Sequence, residues 1–248
     1  MNSFDFLVEN GRKEAKAKLQ GKVKDTKADL QKQLMSIEET GPTALGPALL
    51  TAVAMAAEGA PGSTVVLCTD GLANIGLGAM DEAHSEAQVE ALDAFYAQIG
   101  ILAKENGVTV NIVSIEGEEC NLDTLSKIAE VCGGNVERVA PVQLTQNFSN
   151  ILSTPVIASK VQVTVKLHKG LEFRNEEQAY LKDNGTTMMR ELGNVTEETE
   201  ITFEYRLKSI KELIQMEDVE LTQLTALPFQ AQITYTALNG ARCVRVIS

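Results

Sequence analysis

The stretch STVVLCTDGLANIGLG at residues 63–78 decides the fold. Its first half, Thr64-Val65-Val66-Leu67-Cys68, is a continuous apolar, β-branched run between Pro61-Gly62 and Thr69-Asp70-Gly71. That pattern predicts a strand buried on both faces of a parallel sheet. The second half, with Gly71, Gly76 and Gly78, reads as a loop. Open α/β sheets bind their ligands outside the carboxyl ends of the strands, so Asp70 is the first candidate for chemistry.

Working outward, the preceding segment carries two Gly-Pro pairs, Gly41-Pro42 and Gly46-Pro47, and then the alanine-rich residues 48–57. This predicts a loop feeding a helix with Pro47 in its first turn. Residues 11–39 are rich in Lys, Ala, Gln, Glu and Leu and predict one or two further helices. They hold the basic cluster Arg12, Lys13, Lys16, Lys18, Lys22, Lys24 and Lys27. Interspersed acids and the lack of aromatics make that cluster a solvated helix face rather than a polyanion site.

Downstream, apolar residues at Val89, Leu92, Phe95, Tyr96, Ile99 and Leu102 predict a helix over 81–106 that ends at Gly107. Residues 108–115 predict a second buried strand. Asn121 is placed to cap a helix with the stripe Leu122, Leu125, Ile128, Ala129 and Cys132, closed by Gly133-Gly134. Residues 135–140 predict a third strand and 141–152 a last helix, closed before Pro155. The alternation of strand and helix implies a doubly wound layer.

The period changes after Pro155. Val161, Val163, Val165 and Leu167 alternate with polar residues, as do Ile201, Phe203 and Tyr205, which predicts half-buried antiparallel strands. Asp183-Asn184-Gly185 and Asn239-Gly240 are hairpin signals, the second joining strands at 230–237 and 242–247. A β-sandwich is the simplest way to bury such faces.

Composition sets the outer bounds. At 248 residues the chain has room for two domains, and its 44% hydrophobic and 23% charged residues are ordinary for a soluble protein. No apolar run approaches the length of a membrane span. Residues 1–5 lack the basic start and apolar core of a secretory signal, so the expected compartment is the cytoplasm. A net charge of -12 argues against nonspecific binding to nucleic acid or anionic membranes. Cys68, Cys120, Cys132 and Cys243 have no metal-ligand spacing and read as reduced thiols.

Three motifs in order carry a resemblance. Thr40-Gly41-Pro42-Thr43-Ala44-Leu45-Gly46-Pro47-Ala48-Leu49, then the strand ending Cys68-Thr69-Asp70-Gly71, then residues 125–136 with Cys132-Gly133-Gly134-Asn135-Val136, resemble the later part of a von Willebrand factor A domain. The resemblance covers residues 40–152. It implies a metal-ion-dependent adhesion site for magnesium or a similar ion, with Thr43 as its threonine ligand and Asp70 as its loop aspartate. The family's first strand ends in Asp-x-Ser-x-Ser, and no such pattern occurs in this chain. The site is therefore incomplete as written and the sheet is expected to lack its first strand. A fragment is the favoured explanation and a complementing chain the other. Residues 228–235 and 239–246 bear a weaker resemblance to the closing strands of the β-sandwich in inner-shell subunits of the COPII vesicle coat.

The sequence thus predicts an α/β protein, with an incomplete von Willebrand factor A-like parallel sheet at 1–155 and an antiparallel β-sandwich at 156–248. The function it implies is a noncatalytic protein-interaction module, with a partner's acidic side chain meeting Thr43 and Asp70 through a divalent ion. A coat-like trafficking subunit and a nucleotide-binding α/β protein are the alternatives. The glycines at 71, 76 and 78 do not follow Gly-x-Gly-x-x-Gly, and no Gly-Lys-Ser/Thr follows them. His84 and His168 stand alone, so no catalytic residue is assigned. A gap beside Val65 to Leu67 is expected to favour dimers by edge pairing.

Overall fold

The computed structural model describes residues 3–18, 21–38, 41–80, 85–116, 121–215 and 228–248. The chain divides into two compact units, residues 1–155 and 156–248.

The first unit is a three-stranded parallel sheet with helices. Helices α1 (Phe4–Lys18), α2 (Val23–Leu34) and α3 (Leu45–Ala56) precede strand β1 (Thr64–Thr69). Then follow α4 (Glu86–Glu105), β2 (Thr109–Ile115), α5 (Leu122–Cys132), β3 (Val136–Val139) and α6 (Leu144–Ser153). The strand order is β1-β2-β3, so β2 is central and β1 is an edge. The burial follows. All of Thr109 to Ser114 is buried, whereas Val65, Val66 and Leu67 are half-buried and Cys68 is exposed. The expectation that residues 64–68 are buried on both faces is thus corrected, because an edge strand has a covering neighbour on one side alone.

One face of this sheet holds the core. Val65, Leu67, Val110, Ile112 and Val136 share it, and they pack with Leu49, Leu50 and Val53 of α3, Tyr96 and Ile99 of α4, and Leu125 and Ile128 of α5. Glu137 alternates with Val136 and so faces the other way, where it accepts a hydrogen bond from the Asn147 amide of α6. Helix α1 begins at Phe4, well before residue 11, and Gly11 lies inside it. A Cβ at Gly11 would stand 2.7 Å from the Thr51 carbonyl oxygen and from Cβ of Ala54, so this glycine allows α1 to press on α3 rather than marking a boundary. Helix α5 has the expected caps: the Asn121 side chain accepts from the Thr124 amide, and Gly133 is left-handed at φ 77°. Asp81 to His84, where the sequence predicts the start of α4, lie outside the described residues, as does Cys120. The described helix starts at the Ser85 cap.

The second unit is antiparallel. Its five-stranded sheet runs β10-β9-β4-β7-β6, and β5 and β8 pair separately. The strands are β4 (Ala158–Leu167), β5 (Leu171–Arg174), β6 (Leu181–Lys182), β7 (Thr187–Val195), β8 (Glu204–Leu207), β9 (Phe229–Ala237) and β10 (Arg242–Ile247), with the short α7 (Ile210–Ile214) after β8. Both hairpin signals form turns. Asp183, Asn184 and Gly185 are all at positive φ between β6 and β7, and Gly240, at φ 82°, turns β9 into β10. Ile201 and Phe203 precede β8 rather than lying in it, yet both pack on the core of Val161, Val163, Val165, Phe173 and Met188. Phe173 comes from the small sheet and Val163 from the large one, so the two sheets share one apolar cluster.

Candidate docking site on the loop face

The loop after β1 and the loop before α3 are tied together through Thr43. Its amide donates to Oδ1 of Asn74 at 2.6 Å, and its carbonyl accepts from the amides of Asn74 at 3.0 Å and Ile75 at 3.3 Å. Asn74 thus bonds Thr43 with both its side chain and its backbone. The loop after β1 also closes on itself. Met80 donates to the Ala73 carbonyl at 2.7 Å, and the Thr69 hydroxyl to the Gly71 carbonyl at 3.1 Å.

Glycines make the close approach possible. A Cβ at Gly46 would stand 2.1 Å from the Leu77 carbonyl oxygen, so α3 meets this loop only because residue 46 has no side chain. At Gly78, φ is +77° and a Cβ would strike the Phe95 ring at 2.5 Å. The Gly78 carbonyl accepts from the Tyr96 hydroxyl at 2.8 Å, and Phe95 and Tyr96 stack edge to face with centroids 5.2 Å apart. Burial pushes the Tyr96 phenol well above its ordinary value, so it stays a donor. The glycines at 46 and 78 are thereby accounted for by packing.

The braced contact is that of Thr43 with Asn74 and Ile75, and the two loops are exposed around it. Thr43, Asp70 and Asn74 are exposed, as is Ile75, which presents 47% of its area. Thr43 and Asp70 lie on the two joined loops. Asn74 is not singled out by the sequence, where a loop Asn signals only a side chain able to bond backbone. Its partner, 31 residues away, is invisible there.

Thr43 and Asp70 would give a cation one hydroxyl and one carboxylate, and among the described residues no three His, Cys, Asp or Glu side chains gather. Magnesium held mainly by protein needs more charged oxygens in a near-octahedral shell, so this donor set does not by itself fit a resident ion. Asp81 and Glu82, the nearby acids in sequence, lie outside the described residues. At the end of β1 the Cys68 residue is exposed, yet neighbouring atoms partly desolvate its thiol and push it up, and the Asp70 charge adds to this, which disfavours the thiolate. Elsewhere, Nδ1 of His168 accepts from the Gly170 amide at 3.1 Å in a turn. In the basic segment, Lys13 pairs with Glu9 at 2.9 Å and Arg12 with Glu58 at 3.6 Å.

Comparison with solved structures fits this architecture. A von Willebrand factor type A protein from Catenulispora acidiphila matches 90% of this chain and 50% of its own, at a TM-score of 0.52 and 19% identity. The chain has a von Willebrand factor A-like α/β fold. The crystal structure of the human COPII-coat protein Sec24c matches 83% of this chain and 28% of its own, at a TM-score of 0.56 and 17% identity. The first unit supplies 155 of 248 residues, so an 83% match extends into the second. In sequence, the chain is 33% identical over all 248 residues to circularly permutated Ras protein 1 of Dictyostelium discoideum. It spans 27% of that protein's length. No family model matches the chain. Among the described residues no helix is long and apolar enough to cross a membrane.

Proposed function

We propose that this chain is a noncatalytic protein-interaction module whose docking surface is the loop face of Thr43, Asp70, Asn74 and Ile75. The observation that carries the reading is the double tie between Thr43 and Asn74, which joins two exposed loops, one of them at the carboxyl end of β1. A surface held in place before binding spends less free energy on ordering than a loose one. Packing roles for Gly46 and Gly78 and the raised thiol of Cys68 support a binding role over a catalytic one. Free thiols at Cys68, Cys132 and Cys243 suit a reducing, cytoplasmic setting.

The test is quantitative affinity purification with the wild type, Thr43→Ala and Asp70→Ala, each with and without chelator. Partners lost from Asp70→Ala support the reading. Loss with chelator as well means that a partner completes an ion shell, with Thr43 and Asp70 as this chain's share. Equal retention by all proteins under both conditions overturns it.

A second reading is a coat-like scaffold role, favoured by the extension of the Sec24c match into the second unit. It predicts that partner retention also depends on residues 156–248. The nucleotide reading, raised again by the Ras name of the Dictyostelium protein, requires GTP or ATP to raise the melting temperature of this chain.

A further inference from the structure

The chain between β5 and β6 crosses from one sheet of the second unit to the other, because β5 pairs with β8 and β6 with β7. Residues 175–180 make the crossing, and none of them joins the apolar cluster of this unit. What fastens them is polar. Nδ2 of Asn175 donates to Oε2 of Glu204 at 2.7 Å, and the Arg190 guanidinium donates to the Glu176 carboxylate. The Tyr180 ring centroid lies 5.6 Å from Cζ of the same guanidinium. Beyond the crossing, β6 adds two register pairs, Leu181 with Met188 and Lys182 with Thr187.

Arg190 occupies an unusual place for a cation. It stands opposite Val163 of β4, and Met188 opposite Val165. Those three apolar residues belong to the core, and alternation along β7 puts Arg190 on the same side as Met188. A guanidinium is not deprotonated in a protein, so on that side it requires an anion. Glu176 supplies one, with a side chain 7% exposed against 29% for Arg190. Nε of Arg190 is buried and meets no acceptor among the described residues.

We propose that residues 175–182 form a strap latched by Glu176 on Arg190, and that the strap opens as a unit while both sheets stay folded. Local stability follows buried apolar contact, and the strap and the sheets differ in it. The sheets share Val161, Val163, Val165, Phe173 and Met188, whereas the strap adds to that cluster through the partly buried Leu181 alone. A two-residue β6 and the single helical turn Gln178–Tyr180 are marginal in isolation. The latch therefore decides whether the strap is closed. Opening frees the Arg190 guanidinium to take an outside carboxylate in place of Glu176.

The test is hydrogen exchange of the whole chain at low denaturant, read by mass spectrometry on peptides covering 175–182 and β4. In the wild type the strap is expected to exchange faster than β4 and with little dependence on denaturant, as a local opening does. Val161→Ala weakens the core at a position opposite Gly193, away from the strap. It should speed exchange of β4 and leave the strap unchanged, since the open and closed strap lose the same core contact. Glu176→Gln keeps the shape of the latch and removes its charge, and should speed exchange of the strap by about tenfold or more. In Glu176→Ala, sodium formate should slow the strap again and sodium chloride of equal ionic strength should not, because formate replaces the lost carboxylate. Adding Arg190→Met should abolish that response. A wild-type strap that matches β4 in rate and denaturant dependence overturns the proposal, and this readout needs no variant to fold. So does a strap that speeds up with β4 in Val161→Ala, a strap unchanged in Glu176→Gln, loss of the folded sheets in Glu176→Gln, or equal effects of formate and chloride.

Discussion

Tyr96 has no exposed area, yet its hydroxyl holds the loop that carries the docking patch. Because burial raises the folded-state value of this phenol above its ordinary value of about 10, folding favours the protonated form. The sign follows: below about pH 10 the stabilisation is complete, and it declines as pH rises, since the unfolded chain ionises first. Replacing Tyr96 by Phe removes this titration along with the bond to Gly78. Tyr96→Phe is expected to be less stable at pH 7, by about 1 kcal/mol for the lost bond. It should also show a smaller further loss between about pH 9 and 11 than the wild type in urea unfolding. Equal alkaline slopes for the two proteins would assign the alkaline transition to other groups. None of this is legible in the sequence, where Tyr96 is one apolar position among six on a helix. Asp70 emerges from its place at the carboxyl end of a predicted strand and Thr43 through family resemblance, while Asn74 does not emerge at all, since bonds across 31 residues leave no local pattern.

At the scale of elements, legibility depends on whether the deciding interaction is local. Helix α5 reads correctly because its cap, stripe and terminal glycine all lie within 13 residues, 121–133. Strand β1 is located correctly but its burial is not, because a β-branched run does not reveal whether a sheet continues on both sides. Gly11 looks like a boundary in the sequence because its reason, the closeness of α3, lies some 40 residues away. For α4 the local signal is present. Ser85-Glu86-Ala87-Gln88 is a capping box, with the Gln88 amide donating to Ser85 Oγ at 3.3 Å and the Ser85 amide to the Gln88 side chain at 3.0 Å. Ser85→Ala should cost about 1 kcal/mol in chemical denaturation. Ser85→Asp should keep most of that stability, since an aspartate also caps and its charge suits a helix N-terminus. If Ser85→Asp proves as unstable as Ser85→Ala, the hydroxyl serves some contact other than the cap.

For the whole molecule, the change from parallel to antiparallel strands is legible in the sequence, because a period of two is a direct imprint of one-sided burial. What the sequence leaves open is the fate of the adhesion-type cation site. Magnesium retains waters and binds tightly only where several charged oxygens converge, and among the described residues no three His, Cys, Asp or Glu side chains gather at Asp70 or elsewhere. A net charge of -12 enriches cations near the whole surface, which produces weak, salt-sensitive association without a defined shell. Isothermal titration of the 248-residue chain at about 1 mM magnesium is therefore expected to give no saturable binding. The Asp70→Ala variant separates the remaining outcomes. Saturable heat that vanishes in this variant would mean that acids such as Asp81 or Glu82 complete a shell around Asp70. Heat that survives the substitution and fades with added salt would be diffuse attraction to the acidic surface. In the first case the loop face is a metal centre in its own right, and the docking reading must then be rebuilt with the ion at its middle.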